Sequence, residues 1–332
     1  MNFTKKLIAL FIIVCIGNAS FAQFTTSSGN ITQQAAGNVG IGIIGATSPL
    51  SLLEVKNGSV LFDGTTGATP VAGAGTRMMW VPSKSAFRAG KVAGTSWDDA
   101  NIGLYSVGFG QNTTSSGIAS FSSGANCIAS ANQAFSAGNS CTASATTAFA
   151  FGLLNTSSAN LSTTFGSSLI AESLGSFVIG TYNFTSPAYS GTSIIATDPL
   201  FVIGNGSSTL RNNALTVLKN GNVLINKVTQ INTNYILDVN GKIRANEIVI
   251  NTTGADFVFE KNYTLMPLSL LEQKVKEEKH LPGIATAAEM QENGVGLAEL
   301  NKSLLQKTEE LTLYIIELNK RIELLELAVI KK

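Results

Sequence analysis

The residues of this chain that could do chemistry are few and scattered. His280 is the only histidine, and Lys-His-Leu-Pro-Gly (279–283) brings no acid, serine or cysteine to a recognisable catalytic spacing. The serines between 106 and 180 therefore lack the histidine base that would activate a nucleophile. Glu172 is the only charged residue between 100 and 197, so no second carboxylate stands near it for sugar cleavage. We predict that the protein is not an enzyme and interpret His280 as a structural residue at a helix end.

Two other groups leave alternatives open. Asp98 and Asp99, close to Asn101, could contribute to a calcium site, but they lack the alternating spacing of a calcium loop, so turn and cap roles are the simpler interpretation. Cys127 and Cys141 each follow a repeated glycine by three residues and are expected to stack on adjacent coils. They could form a disulfide or fill equivalent buried slots, and we favour the second. The sequence predicts no metal or cofactor site.

The element that must position every other residue is a repeat between Ser106 and Gly180. Glycine recurs at every fourteenth residue, and repetition at a fixed short period is typical of a solenoid. Phenylalanine stands three residues before most of these glycines, and we expect the phenylalanines to stack in a ladder. The repeated residues are Gly110, Gly124, Gly138, Gly152, Gly166 and Gly180, with Phe121, Phe135, Phe149 and Phe177.

Each repeat is predicted to contain two short strands and two turns, with the glycine at a turn. Because strand side chains alternate, the large apolar residues share one face and small residues share the other. So narrow a coil is expected to enclose almost no core, and we expect the small-residue face to pack against neighbouring chains. A further, interrupted coil is predicted to close at Gly204, after an insertion from 182 to 200.

The repeat also carries a resemblance. Ser-Val-Gly-Phe-Gly (106–110), Ala-Phe-Ala-Phe-Gly (148–152) and Ser-Phe-Val-Ile-Gly (176–180) resemble the Ser-Val-Ala-Ile-Gly head repeats of YadA-like trimeric autotransporter adhesins. The resemblance implies a left-handed parallel β-roll, a homotrimer and a role in adhesion. The membrane-embedded β-barrel that ends such adhesins has no counterpart in this sequence, so self-export is not expected.

The segments on either side of the roll have other compositions. Residues 1–22 combine two lysines, an apolar run and Ser-Phe-Ala, which predicts a cleaved signal peptide. Asn-Gly pairs at 57–58, 220–221 and 240–241 each predict a β-hairpin. The predicted regions are an N-terminal β region (23–76), an aromatic cap (77–105), the roll (106–204), a β neck (205–255), short helices (256–296) and a coiled coil (297–332).

The C-terminal region is rich in helix-forming residues. Pro267 is expected to open a helix that stops at Pro282-Gly283, and Thr286 with Glu289 predicts a capping box. From Leu297 apolar residues follow a heptad pattern, which indicates a coiled coil. Isoleucine and leucine at the core positions favour two strands, whereas the roll resemblance implies three, and we favour three. The predicted oligomer seam comprises Leu297, Leu304, Leu311, Ile315, Leu318, Ile322 and Leu325.

This end of the chain is also loosely similar to the ends of phage and bacterial fibre proteins. Some of those carry an endosialidase-type intramolecular chaperone, which cuts itself off with a serine–lysine dyad after a Ser-Asp motif. The segment Lys242-Ile243-Arg244-Ala245 has no such motif, so self-cleavage is not predicted.

The charge balance limits the partners. A net charge of +1 gives no long-range attraction to nucleic acid, and no membrane span is expected once the signal peptide is removed. We therefore predict a mainly β, elongated homotrimeric fibre that is exported to the cell surface or outside the cell. It would adhere through the roll to an unidentified host or cell-surface protein or glycan. The alternative is a tail-fibre-like structural or receptor-binding component of a phage-derived particle.

Overall fold

The computed structural model describes residues 24–27, 30–33, 39–41, 53–55 and 59–331. The predicted signal peptide, 1–22, lies outside these residues. The chain divides into two units, 1–242 and 243–332, and each is described by itself. The first unit is mainly β and contains a parallel β-solenoid, as predicted, and the second contains a long C-terminal helix.

Short strands precede the solenoid. β1 (Phe24–Ser27) pairs antiparallel with β2 (Asn30–Gln33), and β3 (Val39–Ile41) pairs in parallel with β4 (Leu53–Val55). The hairpin predicted around 57–58 is wrong in its second half, because Ser59 and Val60 are not in a strand. The turn itself lies outside the described residues.

The solenoid is made of strand pairs that return in register. In chain order the strands are β5 (Gly75–Val81), β6 (Ala86–Val92), β7 (Val107–Gln111), β8 (Thr114–Ser115), β9 (Phe121–Ala125), β10 (Ile128–Ala129), β11 (Phe135–Asn139), β12 (Thr142–Ala143), β13 (Phe149–Leu153), β14 (Thr156–Ser157), β15 (Thr163–Ser167), β16 (Ile170–Ala171), β17 (Phe177–Thr181) and β18 (Pro199–Asn205). The five-residue strands from β7 to β17 form one parallel sheet, and the two-residue strands between them form a second. In the first sheet Phe135 lies opposite both Phe121 and Phe149.

The prediction that the small-residue face packs against neighbouring chains is wrong. Ser120, Ser122, Ala134 and Ala150 are fully or almost fully buried within this single chain. They meet the small residues of the second sheet, so a serine hydroxyl of one sheet bonds to that of the other, as between Ser115 and Ser122 at 2.5 Å. A coil this narrow is filled mainly by small side chains. The small-residue face is therefore the core of one chain, and the large apolar face points outward.

The repeated glycines are also placed differently from the prediction. They lie within the strands, not at the turns, because Gly138 is the fourth residue of β11. A Cβ added to Gly138 would lie 2.0 Å from the carbonyl oxygen of Gly152, and its φ of +118° is unfavourable for other residues. A Cβ added to any other repeated glycine would likewise lie only 2.0–2.2 Å from a carbonyl oxygen of the next coil. These glycines are Gly110, Gly124, Gly152, Gly166 and Gly180. The glycine period therefore reflects the close approach of successive backbones.

The turns are made instead by other residues in the left-handed conformation. One corner of the solenoid has Asn112, Asn126 and Ser140 with φ between +52° and +55°. A second corner has Gln133 and Thr147 at +57° and +56°. Asparagine adopts this conformation at low cost, whereas a β-branched threonine is strained there.

The start of the solenoid is closed by β5 and β6, which pair antiparallel with each other and extend the first sheet. Trp97 is fully buried in a cluster with Val81 and Val92, and its indole N–H donates to the carbonyl of Thr113 at 2.8 Å. Arg88 is also fully buried, and burial lowers its pKa to about 10. Its guanidinium donates to carbonyls of Phe87, Ser106 and Ser115 and to the hydroxyl of Ser106, at 2.8–3.0 Å.

The other end of the solenoid contains the interrupted coil and the two remaining Asn-Gly pairs. The interrupted coil is confirmed, because β18 pairs in parallel with β17 and Gly204 lies opposite Gly180. β19 (Asn213–Leu218) and β20 (Val223–Ile225) form the hairpin predicted at Asn220-Gly221. β21 (Leu237–Val239) pairs in parallel with β20 and no strand follows it before Ile243, so the hairpin predicted at 240–241 is wrong.

The second unit contains the predicted helices, and the first of them ends at Glu278, before the expected stop at Pro282-Gly283. α1 (Leu268–Glu278) follows Pro267, and α2 (Ala287–Asn293) begins at a capping box formed by Thr286 and Glu289. The long helix α3 spans Leu297–Ile330. Tyr314 is its only buried residue, and its hydroxyl donates to the carbonyl of Met266.

The segment before α1 is fastened to α3 by a polar cluster around Glu310. The Glu310 carboxylate accepts hydrogen bonds from Gln306 at 2.8 Å, from Lys307 at 2.9 Å and from the Tyr263 hydroxyl. Partial burial acts to raise the pKa of Glu310, but these three donors and the charge of Lys307 outweigh it, so the pKa is lowered.

Candidate functional site

The largest regular feature on the outside of the first sheet is a column of aromatic rings. It exists because residues three and one before each glycine point away from the narrow interior. The rings of Phe121 and Phe135 are 4.8 Å apart and nearly parallel, and those of Phe135 and Phe149 are 4.4 Å apart. The expected phenylalanine ladder is present, and it is an outer surface of the chain.

The ladder changes column partway along the sheet. Thr163 replaces phenylalanine in the first column, and the stack passes to Phe151 and Phe165, whose rings are 5.0 Å apart. Phe165 is 53% exposed, and Phe177 and Phe151 are also exposed. Soluble monomers rarely expose a continuous apolar patch of this kind unless it is an interaction site.

The outer face of the second sheet has a different chemistry. Its outward column contains Thr114, Ile128, Thr142, Thr156 and Ile170, paired in register. This face is uncharged and carries methyl and hydroxyl groups without aromatic rings. The two outer faces of the solenoid are therefore chemically distinct, and only the first is strongly apolar.

The predicted oligomer seam is a second exposed apolar surface, on α3 of the C-terminal unit. Leu297, Leu304, Leu311, Ile315, Leu318, Ile322 and Leu325 are all exposed in the single chain. The middle of the seam lines a groove of about 530 Å³, whose opposite wall includes Leu268 and Leu271 of α1 and the following Leu281. Within this unit the seam residues remain 45–66% exposed.

The residues considered for chemistry have ordinary structural contacts. Asp98 accepts a hydrogen bond from the backbone N–H of Gly73 at 2.6 Å, and Asp99 accepts one from Thr69 at 2.7 Å. Thr69 and Lys84 lower the pKa of Asp99. Both aspartates thus hold turns together, and the described residues contain no cluster able to hold a metal ion.

Cys127 and Cys141 are fully buried, stacked and free. They lie in the small-residue core with Ala129 and Ala143. Their positions therefore fit two small core side chains better than a disulfide. A hydrogen bond between the two thiols lowers the pKa of Cys127, and the same bond together with burial raises the pKa of Cys141. His280 follows α1, and its Nδ1 lies 3.1 Å from the Leu281 carbonyl oxygen.

The structure brings together one group that the sequence does not reveal. Lys219 donates to the Ser173 hydroxyl at 2.7 Å, and its ammonium nitrogen lies 4.0 Å from a carboxylate oxygen of Asp198, which is in the insertion. Burial lowers the pKa of Lys219, as a general base would require. However, Ser173 donates to the Pro199 carbonyl at 2.8 Å. The cavity beside Ser173 measures only about 10 Å³, so the group anchors the insertion and has no space for a substrate.

Tyr189 and Glu172 belong to the same buried region. Burial, together with the charges of Asp198 and Glu172, raises the pKa of Tyr189 to about 12. Glu172 accepts a hydrogen bond from the backbone N–H of Ser186 at 3.0 Å. The signal that could have found this group is the charge pattern, since Glu172, Asp198 and Lys219 are rare charges in an almost uncharged stretch.

Comparison with known proteins adds no family. No protein-family model, no curated protein and no solved structure matches this chain. Across the part of the chain that the structure describes, no helix is long and apolar enough to cross a membrane. The resemblance to adhesin head repeats therefore depends on the repeated motif itself and stays a prediction.

Proposed function

We propose that this protein is a secreted or cell-surface fibre with a structural and adhesive role, built as a parallel homotrimer and without catalysis. In this proposal the solenoid is a left-handed β-roll of fourteen-residue repeats, and α3 forms a three-stranded coiled coil. The observation that carries the proposal is that the seam of α3 is exposed in the single chain, and that the outward phenylalanine ladder is half-buried to exposed there.

The geometry of a parallel homotrimer explains why these two surfaces repeat as they do. Around a threefold axis each residue meets its own copies, so a column of identical side chains is self-complementary. Within one chain the rings of neighbouring strands lie 4.4–6.0 Å apart, close enough to stabilise one another, so the ladder is an ordered surface before any second chain meets it. The ladder takes over the association role that the small-residue face was expected to have.

Burying the ladder and seam in the trimer leaves the second sheet facing outward. Its uncharged column of threonine and isoleucine side chains would then form the main side surface of the fibre. An adhesive fibre needs such an accessible face, together with a ligand-binding site that the trimer does not cover.

Cell fractionation with surface proteolysis tests the proposed location. Intact cells treated with protease should lose the chain, while a cytoplasmic marker stays intact. A chain that is protected in intact cells contradicts the proposal. A chain that sediments with sheathed particles instead of the envelope would favour the tail-fibre alternative.

A truncation tests the assembly role of the C-terminal unit. Ending the chain after Gly254 removes α1, α2 and α3 and should yield a smaller species or aggregates, since only the ladder is left to hold three chains together. Normal assembly of the truncated chain would show that the helical unit is not needed for trimerisation.

A further inference from the structure

The groove of about 530 Å³ between α1 and α3 has a wall along one flank of the seam. Leu268, Leu271 and Leu281 form this α1 wall, and the middle of the seam forms the floor of the groove. The wall is fixed to α3 because the Tyr314 hydroxyl donates to the carbonyl of Met266, just before α1. The groove is therefore a preformed part of the C-terminal unit.

The heptad pattern shows which flank of α3 carries the wall. With Thr308 and Ile315 at position a and Leu311 at position d, Lys307 and Tyr314 occupy position g. Because successive residues of an α-helix are about 100° apart, position g flanks the seam on one side and position e on the other. Lys307 and Tyr314 line the groove, and among the described residues none at position e does so. The α1 wall thus lies on the g flank.

The opposite flank carries apolar side chains that lie outside the a and d positions. Leu305, at position e, is 44% exposed, and Ile316, at the adjoining position b, is 46% exposed. Both fall between Leu304 and Leu318, which are the first and last α3 residues that line the groove. They are at the right height along α3 to meet an α1 wall that comes from another chain.

We propose that a second copy of this chain completes the groove, with its α3 lying parallel in the groove and its Leu305 and Ile316 against the α1 wall. In parallel coiled coils the g flank of one helix faces the e flank of the next, so a wall on the g flank reaches the neighbour's e and b positions. α1 then belongs to the interface between chains. The inference rests on the proposed assembly through α3 and names further residues that take part in it.

The charges favour another copy of α3 as the occupant. Lys307 and Glu310 are the only charged residues that line the groove, and they pair with each other at 2.9 Å. The groove therefore offers no unpaired charge to a charged peptide. Above it, Arg321 is at position g and Glu326 at position e. In a parallel pair of copies these two residues face each other with opposite charges, as is typical of coiled-coil flanks.

The length of the apolar surface also favours a helix over a compact small molecule. Beyond Leu318 the surface continues through Ile322, Leu325 and Val329, which line a second hollow of about 410 Å³. α3 has 34 residues and is about 50 Å long. A second α3 has apolar side chains at the same spacing and can follow the surface along its whole length.

The test measures how tightly chains of residues 23–332 associate, by light scattering over a dilution series. L268E places a carboxylate on the α1 wall and should raise the chain concentration at which the assembly dissociates about tenfold, the loss expected for one partly buried leucine in each chain. L270E is the matched control. Leu270 is in the same turn of α1 and has similar exposure, 42% against 48% for Leu268, but does not line the groove. L270E should associate like the wild type.

A second pair of variants changes the side that the neighbour contributes. I316E should weaken association as L268E does. L324E also replaces an exposed apolar residue of α3, but at position c, which points away from the seam, so it should have little effect. The circular dichroism signal at 222 nm, measured at high chain concentration, checks that each variant keeps its helices.

The inference is overturned if folded L268E and I316E associate as tightly as the wild type, or if L270E weakens association as much as L268E. A wild-type chain that is monomeric at every concentration also overturns it and leaves the groove to another protein or ligand. A trimer that L268E does not weaken keeps the fibre and removes α1 from the interface. A dimer that L268E dissociates keeps the groove contact and contradicts the homotrimer.

Discussion

Replacing Gly138 with alanine should weaken the solenoid more than the same change at any turn glycine. The added Cβ would lie 2.0 Å from the carbonyl oxygen of Gly152, and 2.9 and 3.0 Å from its carbon and nitrogen. Backbone atoms cannot rotate away as a flexible side chain would. β11 and β13 must therefore separate by more than 1 Å before ordinary contact distances of roughly 3.4 Å or more are restored.

The size of the effect follows from two contributions. Holding an alanine at a φ of +118° costs about 1–2 kcal/mol, by analogy with the left-handed region. Separating the strands weakens two or three backbone hydrogen bonds, each worth about 1 kcal/mol. Together these predict a loss of about 3–5 kcal/mol, a large part of the roughly 5–15 kcal/mol that stabilises a typical domain. The expected fall in Tm is about 6–20 °C.

Thermal unfolding followed by far-ultraviolet circular dichroism, at one fixed chain concentration, measures this loss. G221A is the matched control, because Gly221 also has a positive φ, +90°, but has no atom within 4 Å of an added Cβ. The control should lose only the conformational contribution, about 1–2 kcal/mol. Equal losses in G138A and G221A would refute the idea that close approach of the coils requires the repeated glycines.

Three further experiments test other parts of the account. A143L puts a large side chain into the filled core and should lower the free energy of unfolding in urea by more than about 3 kcal/mol. S144L changes the exposed neighbouring residue and should alter this free energy little. Equal effects would contradict the assignment of Ala143 to the interior. T147N replaces a β-branched residue that is strained at a φ of +56°, so it should stabilise the fold by about 1 kcal/mol. N126T places a β-branched residue in the same conformation and should destabilise the fold by a similar amount. Changes in stability of the opposite sign would contradict the idea that threonine is strained at these corners. The pKa of Glu310 is lower in the folded chain than in the unfolded chain, so its ionised carboxylate stabilises the fold at pH values above the unfolded pKa. This stabilisation is lost as the pH falls below about 4.3. E310Q should therefore reduce the acid-induced loss of helical signal at 222 nm, and an unchanged pH profile would contradict that role.

The strand register was readable because glycine and phenylalanine repeat without slippage. The same pattern did not show which face is the interior. Large apolar residues usually point inward, but the two sheets of this coil are joined by very short turns, so mainly small side chains fit between them. Leu169 and Val178 are among the few larger residues that are buried there. In that geometry Phe135 must point outward and Ser136 inward. Steric space inside the coil, which composition does not report, decides the matter.

The Asn-Gly signals show a second limit of local patterns. The pair at 220–221 makes a hairpin because it has a strand on each side, β19 and β20, and these two strands pair antiparallel. After β21 the chain forms no further strand before Ile243, so the same dipeptide at 240–241 leads to no antiparallel partner.

The rare charges single out Lys219, but its contact with Ser173 could not be predicted, because the two residues are 46 positions apart in the sequence. A cavity of about 580 Å³ beside Trp80 likewise depends on how the irregular segment 59–74 passes along the edge strand β5. Such a segment has no periodic signal from which its path could be predicted.

The central claim is that this chain assembles as a parallel homotrimer through the phenylalanine ladder and the seam of α3. Light scattering coupled to size-exclusion chromatography, on the chain from residue 23 to 332, tests it most directly. The account predicts a single species with three times the mass of one chain, stable to dilution. A mass equal to one chain would contradict it.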